Sequence, residues 1–160
     1  MYAWLIPFGQ WLESTSFATF VRTTVWGYPY VIMIHFLGLS LWAGTITALD
    51  LRLMGLAGQR HSIAELAEQL LLWTWVGFGI TVLGGFLLFS GIAVTYLQNG
   101  AFQVKIPLVI VGIVYHVIVQ RKARIWDQPG PPTMAARITG LTELVLWFAV
   151  VTAAVYIPSF

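Results

Sequence analysis

Four long stretches with almost no charge, at about 28–53, 70–97, 102–121 and 139–157, constrain this chain more than any other feature. A helix rising about 1.5 Å per residue needs about 20 apolar residues to cross the ~30 Å hydrocarbon core of a bilayer. Each of the four meets that length. Composition agrees: 59% of the residues are hydrophobic and only 9% charged, against roughly a quarter charged in a soluble domain. Such a chain cannot cover a water-facing surface. The expected fold is an all-α integral membrane four-helix bundle, with residues 1–160 forming a single membrane domain.

The connections are short. Gln98-Asn99-Gly100 alone separates the second and third spans, which predicts a tight helical hairpin. Between the third and fourth, Asp127-Gln128-Pro129-Gly130-Pro131-Pro132 cannot be helical. In the first 25 residues, Trp4, Leu5, Phe8, Trp11 and Leu12, then Phe17, Phe20 and Val21, recur at helical spacing among Gln10, Glu13, Ser14 and Thr15. That pattern predicts an amphipathic helix, or two short ones, lying in the interface or packed as a plug across the bundle end. It does not resemble a cleavable signal peptide, because it has no basic start and Pro7, Gln10 and Glu13 interrupt the apolar run.

Loop charge sets the expected orientation. Arg52, Arg60, Arg121, Lys122, Arg124 and Arg137 share one side, against Arg22 and Lys105 on the other. The positive-inside rule places the first side in the cytoplasm of a bacterial inner membrane and both termini outside. Trp26, Tyr28, Tyr30, Tyr96 and Tyr156 are the expected outer aromatic belt, and Trp73, Trp75 and Trp126 the inner one.

No cysteine is present, which excludes disulfides, thiolate metal sites, iron–sulfur clusters and thioether-attached heme. Three histidines remain: His35, His61 and His116. Ionisable groups inside spans are costly unless paired or functional. Asp50, Arg52 and Glu143 fall near predicted helix ends, where interfacial salt bridges are the expected role. His35 lies about 10 Å below the outer edge of the first span by helical rise, with Leu39, Trp42, Ile46 and Leu49 on its face. Taken alone it could simply bond a neighbouring helix.

Lys105 and His116 are eleven residues apart, three helical turns, so they share one face with Gly112 between them. A cation above an imidazole suits heme b, with iron on His35 and propionates toward Lys105. A snorkelling lysine is the alternative. Gly77, Gly84 and Gly91 repeat every seven residues and Gly85 widens the stripe. The stripe would permit close helix packing or form one wall for a porphyrin. His116, about 10 Å deeper than His35 by helical rise, would be a second iron ligand or a polar group below the porphyrin.

The run from His35 through Gly38, Trp42 and Ala43-Gly44 to Asp50-Leu51-Arg52-Leu53-Met54-Gly55 resembles an uncharacterised family of bacterial four-helix membrane proteins. Trp11-Leu12-Glu13 and Val21-Arg22 fit that family too. More distantly, the chain resembles the heme-b-containing four-helix protoporphyrinogen oxidases and the membrane domain of copper-resistance D proteins. Val104-Lys105, Gly112 and Tyr115-His116 match the oxidase third span, while Glu143, Pro158 and Phe160 match its end loosely. That resemblance implies a heme ligand at His35 and a functional lysine at Lys105. Thr142-Glu143-Leu144-Val145 departs from it by lacking the oxidase proline.

The resulting expectation is a membrane heme b protein in electron transfer or redox chemistry near the outer face. The alternatives are a protoporphyrinogen oxidase-like enzyme and a non-catalytic accessory or scaffold subunit. Cofactor contacts fall to His35, Lys105, His116, Trp42, Gly77, Gly84 and Gly112. The partners are the lipid bilayer, a quinone or redox protein, and a homo-oligomer or larger membrane complex. Nothing points to nucleic acid.

Overall fold

The computed structural model describes residues 2–128 and 130–157. After a single 3₁₀ turn at Ala3–Leu5 come α1 (Ile6–Glu13), α2 (Ser16–Thr23), α3 (Gly27–Met54), α4 (Ile63–Gly91), α5 (Ala93–Gln98), α6 (Gly100–Lys122) and α7 (Met134–Val155). No strand occurs among the described residues. Pro158 and Phe160, matched loosely at the sequence level, lie outside them.

Helix starts follow side-chain capping. Thr15, Ser62, Asn99 and Thr133 each turn an oxygen onto the amide three residues ahead, at 2.9–3.3 Å. Each satisfies one of the orphan donors of a first helical turn. α3 ends where Gly55 turns left-handed at φ 76°, a backbone conformation glycine enters without steric cost.

α3, α4, α6 and α7 are each long and apolar enough to cross a membrane, with mean hydropathies of 1.7, 1.8, 2.0 and 1.9. Their large apolar side chains point outward: Leu37, Leu72, Val111 and Phe148 are all more than half exposed. An aqueous solvent would penalise such a surface and a lipid solvent favours it. The chain is a multi-pass membrane protein. Its interior is correspondingly small. At the arginine-rich end Leu49, Leu53, Ile63, Ala67, Val119, Ala123 and Ala136 form a packed core. Asp127 Oδ1 accepts the Ile63 amide at 2.8 Å there, tying the α6–α7 loop to the start of α4.

The second predicted span is corrected in two ways. It begins seven residues earlier, at Ile63, and it breaks after Gly91, where Ile92 takes φ −140° and ψ 50°. The short α5 then carries the chain to Asn99. A break exposes backbone groups that must be satisfied, and the N-terminal segment supplies the partners. Arg22 donates to the Gly91 carbonyl at 3.2 Å, and Glu13 accepts the Val94 amide at 2.8 Å. Hence Arg22 is a helix cap and not merely a loop charge.

The two expected short helices are present. α1 packs against α5 and α4, with Gly9 on Val94 and Leu97, and α2 packs against α4 and α3, with Val21 on Gly27. Trp11 of α1 and Phe20 of α2 are exposed, as is Trp4 in the preceding 3₁₀ turn. One expected belt residue, Tyr96, is not on the surface, and another, Trp126, is half-buried. Tyr96 is buried in a three-ring cluster with Phe89 and Phe102, at centroid distances of 6.1 and 5.7 Å. Trp126 packs against the apolar core.

Candidate functional site

The α3–α4 seam comes first, because it places His35. A Cβ added at Gly77 would lie 2.6 Å from the Trp42 backbone nitrogen, and one at Gly84 would lie 2.8 Å from the His35 Cβ. Gly38, on the facing helix, is equally tight against Thr81. The glycine stripe is therefore a helix–helix contact with α3 already in its groove. No room remains over Gly77 or Gly84 for a porphyrin, and both lose the assignment as a cofactor wall. Trp42 is likewise a packing residue. It is buried, with its ring edge-on to Trp147 at 4.3 Å and tilted against Phe78 at 5.4 Å. Gly112 lets α6 approach Leu146 and Trp147 of α7.

On that seam the half-buried His35 directs Nδ1 at the Thr81 carbonyl, 2.8 Å away. A carbonyl oxygen can only accept, so Nδ1 carries the proton and Nε2 keeps its lone pair. No hydrogen bond to Nε2 occurs among the described residues. The ring lies over Gly85, where a Cβ would come within 3.2 Å of Cε1, so glycine leaves room for it. Metal-ligating imidazoles are held in this way, one nitrogen bonded to a carbonyl and the other available. Lys105 of α6 lies within electrostatic reach of His35. The donor set thus fits one axial position and one anionic substituent of a heme, while the glycine wall does not.

His116 is elsewhere. Its ring lies 6.4 Å from that of Trp75 on α4, whereas His35 meets Thr81 and Gly84 of the same helix. Six to nine residues of helical rise separate those levels by about 9–14 Å. The two histidines do not converge on one centre. Instead His116 Nδ1 lies 2.6 Å from Oε1 of Glu143, which also accepts Trp147 Nε1 at 3.4 Å. Asp50 of α3 adjoins Glu143. Asp50 and Glu143 are fully buried and His116 is 3% exposed.

A family model covering residues 8–159, described as a family of unknown function (DUF6644), matches this sequence. The chain belongs to that family. No curated protein and no solved structure matches it. In this DUF6644 member, then, the interior polar chemistry has two levels, His35 with Lys105 and Asp50 with His116 and Glu143.

The second level corrects the expected interfacial salt bridges. Arg52 donates through Nε to the His61 carbonyl at 2.8 Å and does not pair with an acid. Among the described residues the ion pairs are His61–Glu65, His116–Glu143 and Arg124–Glu68, leaving Asp50 with no cation. Sequence reasoning missed the convergence because each residue comes from a different helix. One signal was available. Of the six acids, only Asp50 and Glu143 fall within the four apolar stretches. Gly140, one turn before Glu143, marks the close approach: a Cβ there would lie 2.7 Å from the Asp50 carbonyl oxygen.

Proposed function

We propose that this chain is a membrane heme b protein, with His35 as axial ligand and Lys105 as partner of a propionate. The observation that carries this reading is the His35 imidazole, fixed through Nδ1 on the Thr81 carbonyl with Nε2 left as a free lone pair. Bound heme would supply one-electron chemistry. The chain's own contribution is to orient the ring through the Thr81 carbonyl, with Gly85 leaving space for it, and to bring the Lys105 cation within electrostatic reach. Positive charge in the loops favours the arginine-rich end in the cytoplasm. That orientation puts His35 toward the outside of a bacterial inner membrane, where a quinone or redox protein would exchange electrons with it.

Protein purified in mild detergent should show a Soret band and b-type heme in a pyridine hemochrome assay. His35→Ala should lose most of it and His61→Ala, on a loop, should keep it. Full retention in His35→Ala would remove the assignment. The protoporphyrinogen oxidase reading uses the same residues, and complementation of a strain lacking that enzyme separates it. A scaffold subunit is the second reading, favoured by the tight glycine seam, and a colourless purified protein would select it.

A further inference from the structure

We propose that Asp50, His116 and Glu143 form a proton-binding site inside the bundle, reached from the arginine-rich end and closed toward the other. It stands apart from heme, at another level and on other residues. Four side-chain atoms there are buried without a hydrogen-bond partner: both oxygens of Asp50, Oε2 of Glu143 and Nε2 of His116. Three titratable groups, one each from α3, α6 and α7, therefore carry unused bonding capacity within one buried layer. The facing part of α4 contributes Thr74 and Trp75, which carry no charge, and the Trp75 indole nitrogen is turned to Gln120. Tyr115, beside His116, donates to the Thr139 carbonyl.

Charge balance determines what the site holds. Two neighbouring buried carboxylates cannot both ionise readily, because like charges at close range disfavour it. One imidazolium can compensate one carboxylate, as the His116–Glu143 contact allows. Neutrality then requires a proton on the second carboxyl, Asp50. A protonated Asp50 needs an acceptor, and Glu143 adjoins it with Oε2 free. The neutral site thus carries two dissociable protons, one on an Asp50 oxygen and one shared by His116 and Glu143. Releasing either leaves a buried net negative charge. A bare metal ion is a poorer occupant, since no group of three His, Asp or Glu side chains with metal-holding geometry occurs among the described residues.

The surroundings give the site a direction. Asp50 is four residues from the end of α3, about 6 Å by helical rise. Arg52, Gln59, Pro132 and Arg137 line a cavity of about 390 Å³ at that end. On the other side, Thr45 and Thr74 join α3 to α4 with hydroxyls 2.9 Å apart, and Trp42, Phe78 and Trp147 close the layer above. Leu53 and Ala136 of the apolar core are packed between the site and that cavity, so the proposed exchange through this end needs that layer to part, while the other side is closed by packed aromatic rings.

The test is infrared difference spectroscopy on the full-length protein in detergent and then in vesicles. Near neutral pH the wild type should show the carbonyl stretch of a protonated, water-shielded carboxyl group, and alkaline titration should bleach it. Asp50→Asn should remove that band and take up about one proton fewer per chain. Should Asp50→Asn misfold, Glu143→Gln keeps the question open to measurement. It should shift the remaining band, because the acceptor changes from carboxylate to amide. In vesicles of known orientation the band should follow pH on the arginine-rich side. A missing band, a band insensitive to pH, or one unchanged in both variants overturns the proton site. An equal response from both sides overturns its one-sided access. Heme content does not enter these readouts.

Discussion

Substituting Gly77 by alanine while leaving Gly79 as an internal reference tests the α3–α4 seam directly. Both residues lie in α4, two positions apart, and both changes add one methyl group. At Gly79 nothing lies within 4 Å of the added carbon, while at Gly77 it would meet the Trp42 nitrogen at 2.6 Å, the Trp42 Cα at 3.0 Å and the Gly38 oxygen at 3.1 Å. Ordinary contact begins at 3.4 Å, so the deepest overlap is 3.4 − 2.6 = 0.8 Å. The atoms met are backbone and cannot rotate away, so α3 itself must shift. Overpacking of this kind costs about 1–3 kcal/mol. Replacing a helical glycine by alanine gains about 0.5–1 kcal/mol, and that gain is common to both variants. Their difference therefore isolates the steric cost, about 1–3 kcal/mol, or roughly 5- to 150-fold in the folded-to-unfolded ratio. Thermal unfolding in one detergent, followed by helix signal, should place Gly79→Ala at or above wild type. Gly77→Ala should unfold some 2–12 °C below Gly79→Ala on the scale of about 2–4 °C per kcal/mol for chains of this length. Coincident transitions for the two variants would mean that α3 does not sit in the glycine groove, and the heme-wall reading of that stripe would return.

Lys105→Met should weaken heme retention by at least about tenfold, since a charge-assisted contact is worth about 1.5–3 kcal/mol. Lys105→Arg should be milder, and wild-type retention and potential in Lys105→Met would leave only a snorkelling lysine. Asp127→Ala should destabilise by about 1–2 kcal/mol in the same unfolding assay, through loss of the acceptor for the Ile63 amide; an unchanged transition would show that the loop is not anchored there. Reporter fusions after Arg124 should read cytoplasmic and fusions after Asn99 external, and the reverse pattern would invert the orientation drawn from the loop charges.

How much was legible from sequence divides along a physical line. Properties summed along one segment were visible: four apolar stretches, the charge bias of the loops and the non-helical segment from Asp127 to Pro132. Each belongs to local hydropathy or local backbone chemistry, and the fold carries all of them. What escaped depends on which residues from separate segments meet. Nothing local announces that Arg22 and Glu13 satisfy backbone groups 69 and 81 residues away, so the apolar run from 70 to 97 looked continuous and the break at Ile92 was invisible. The glycine stripe was visible as periodicity, yet periodicity cannot say whether a helix or a flat ligand fills the groove. Asp50 and Glu143 were misplaced for a related reason. Distance from a helix end suggests the interface, but burial is set by the neighbours, and here Gly140 draws α7 onto α3 at the level of Asp50. The same close approach that excludes water from the two carboxyls also denies them an arginine. Hydropathy alone would treat both acids as tolerated near an end. Their full burial beside a single imidazole is the imbalance that the proposed Asp50 proton would offset, so the part of the chain least readable from sequence is the part on which the proton site rests.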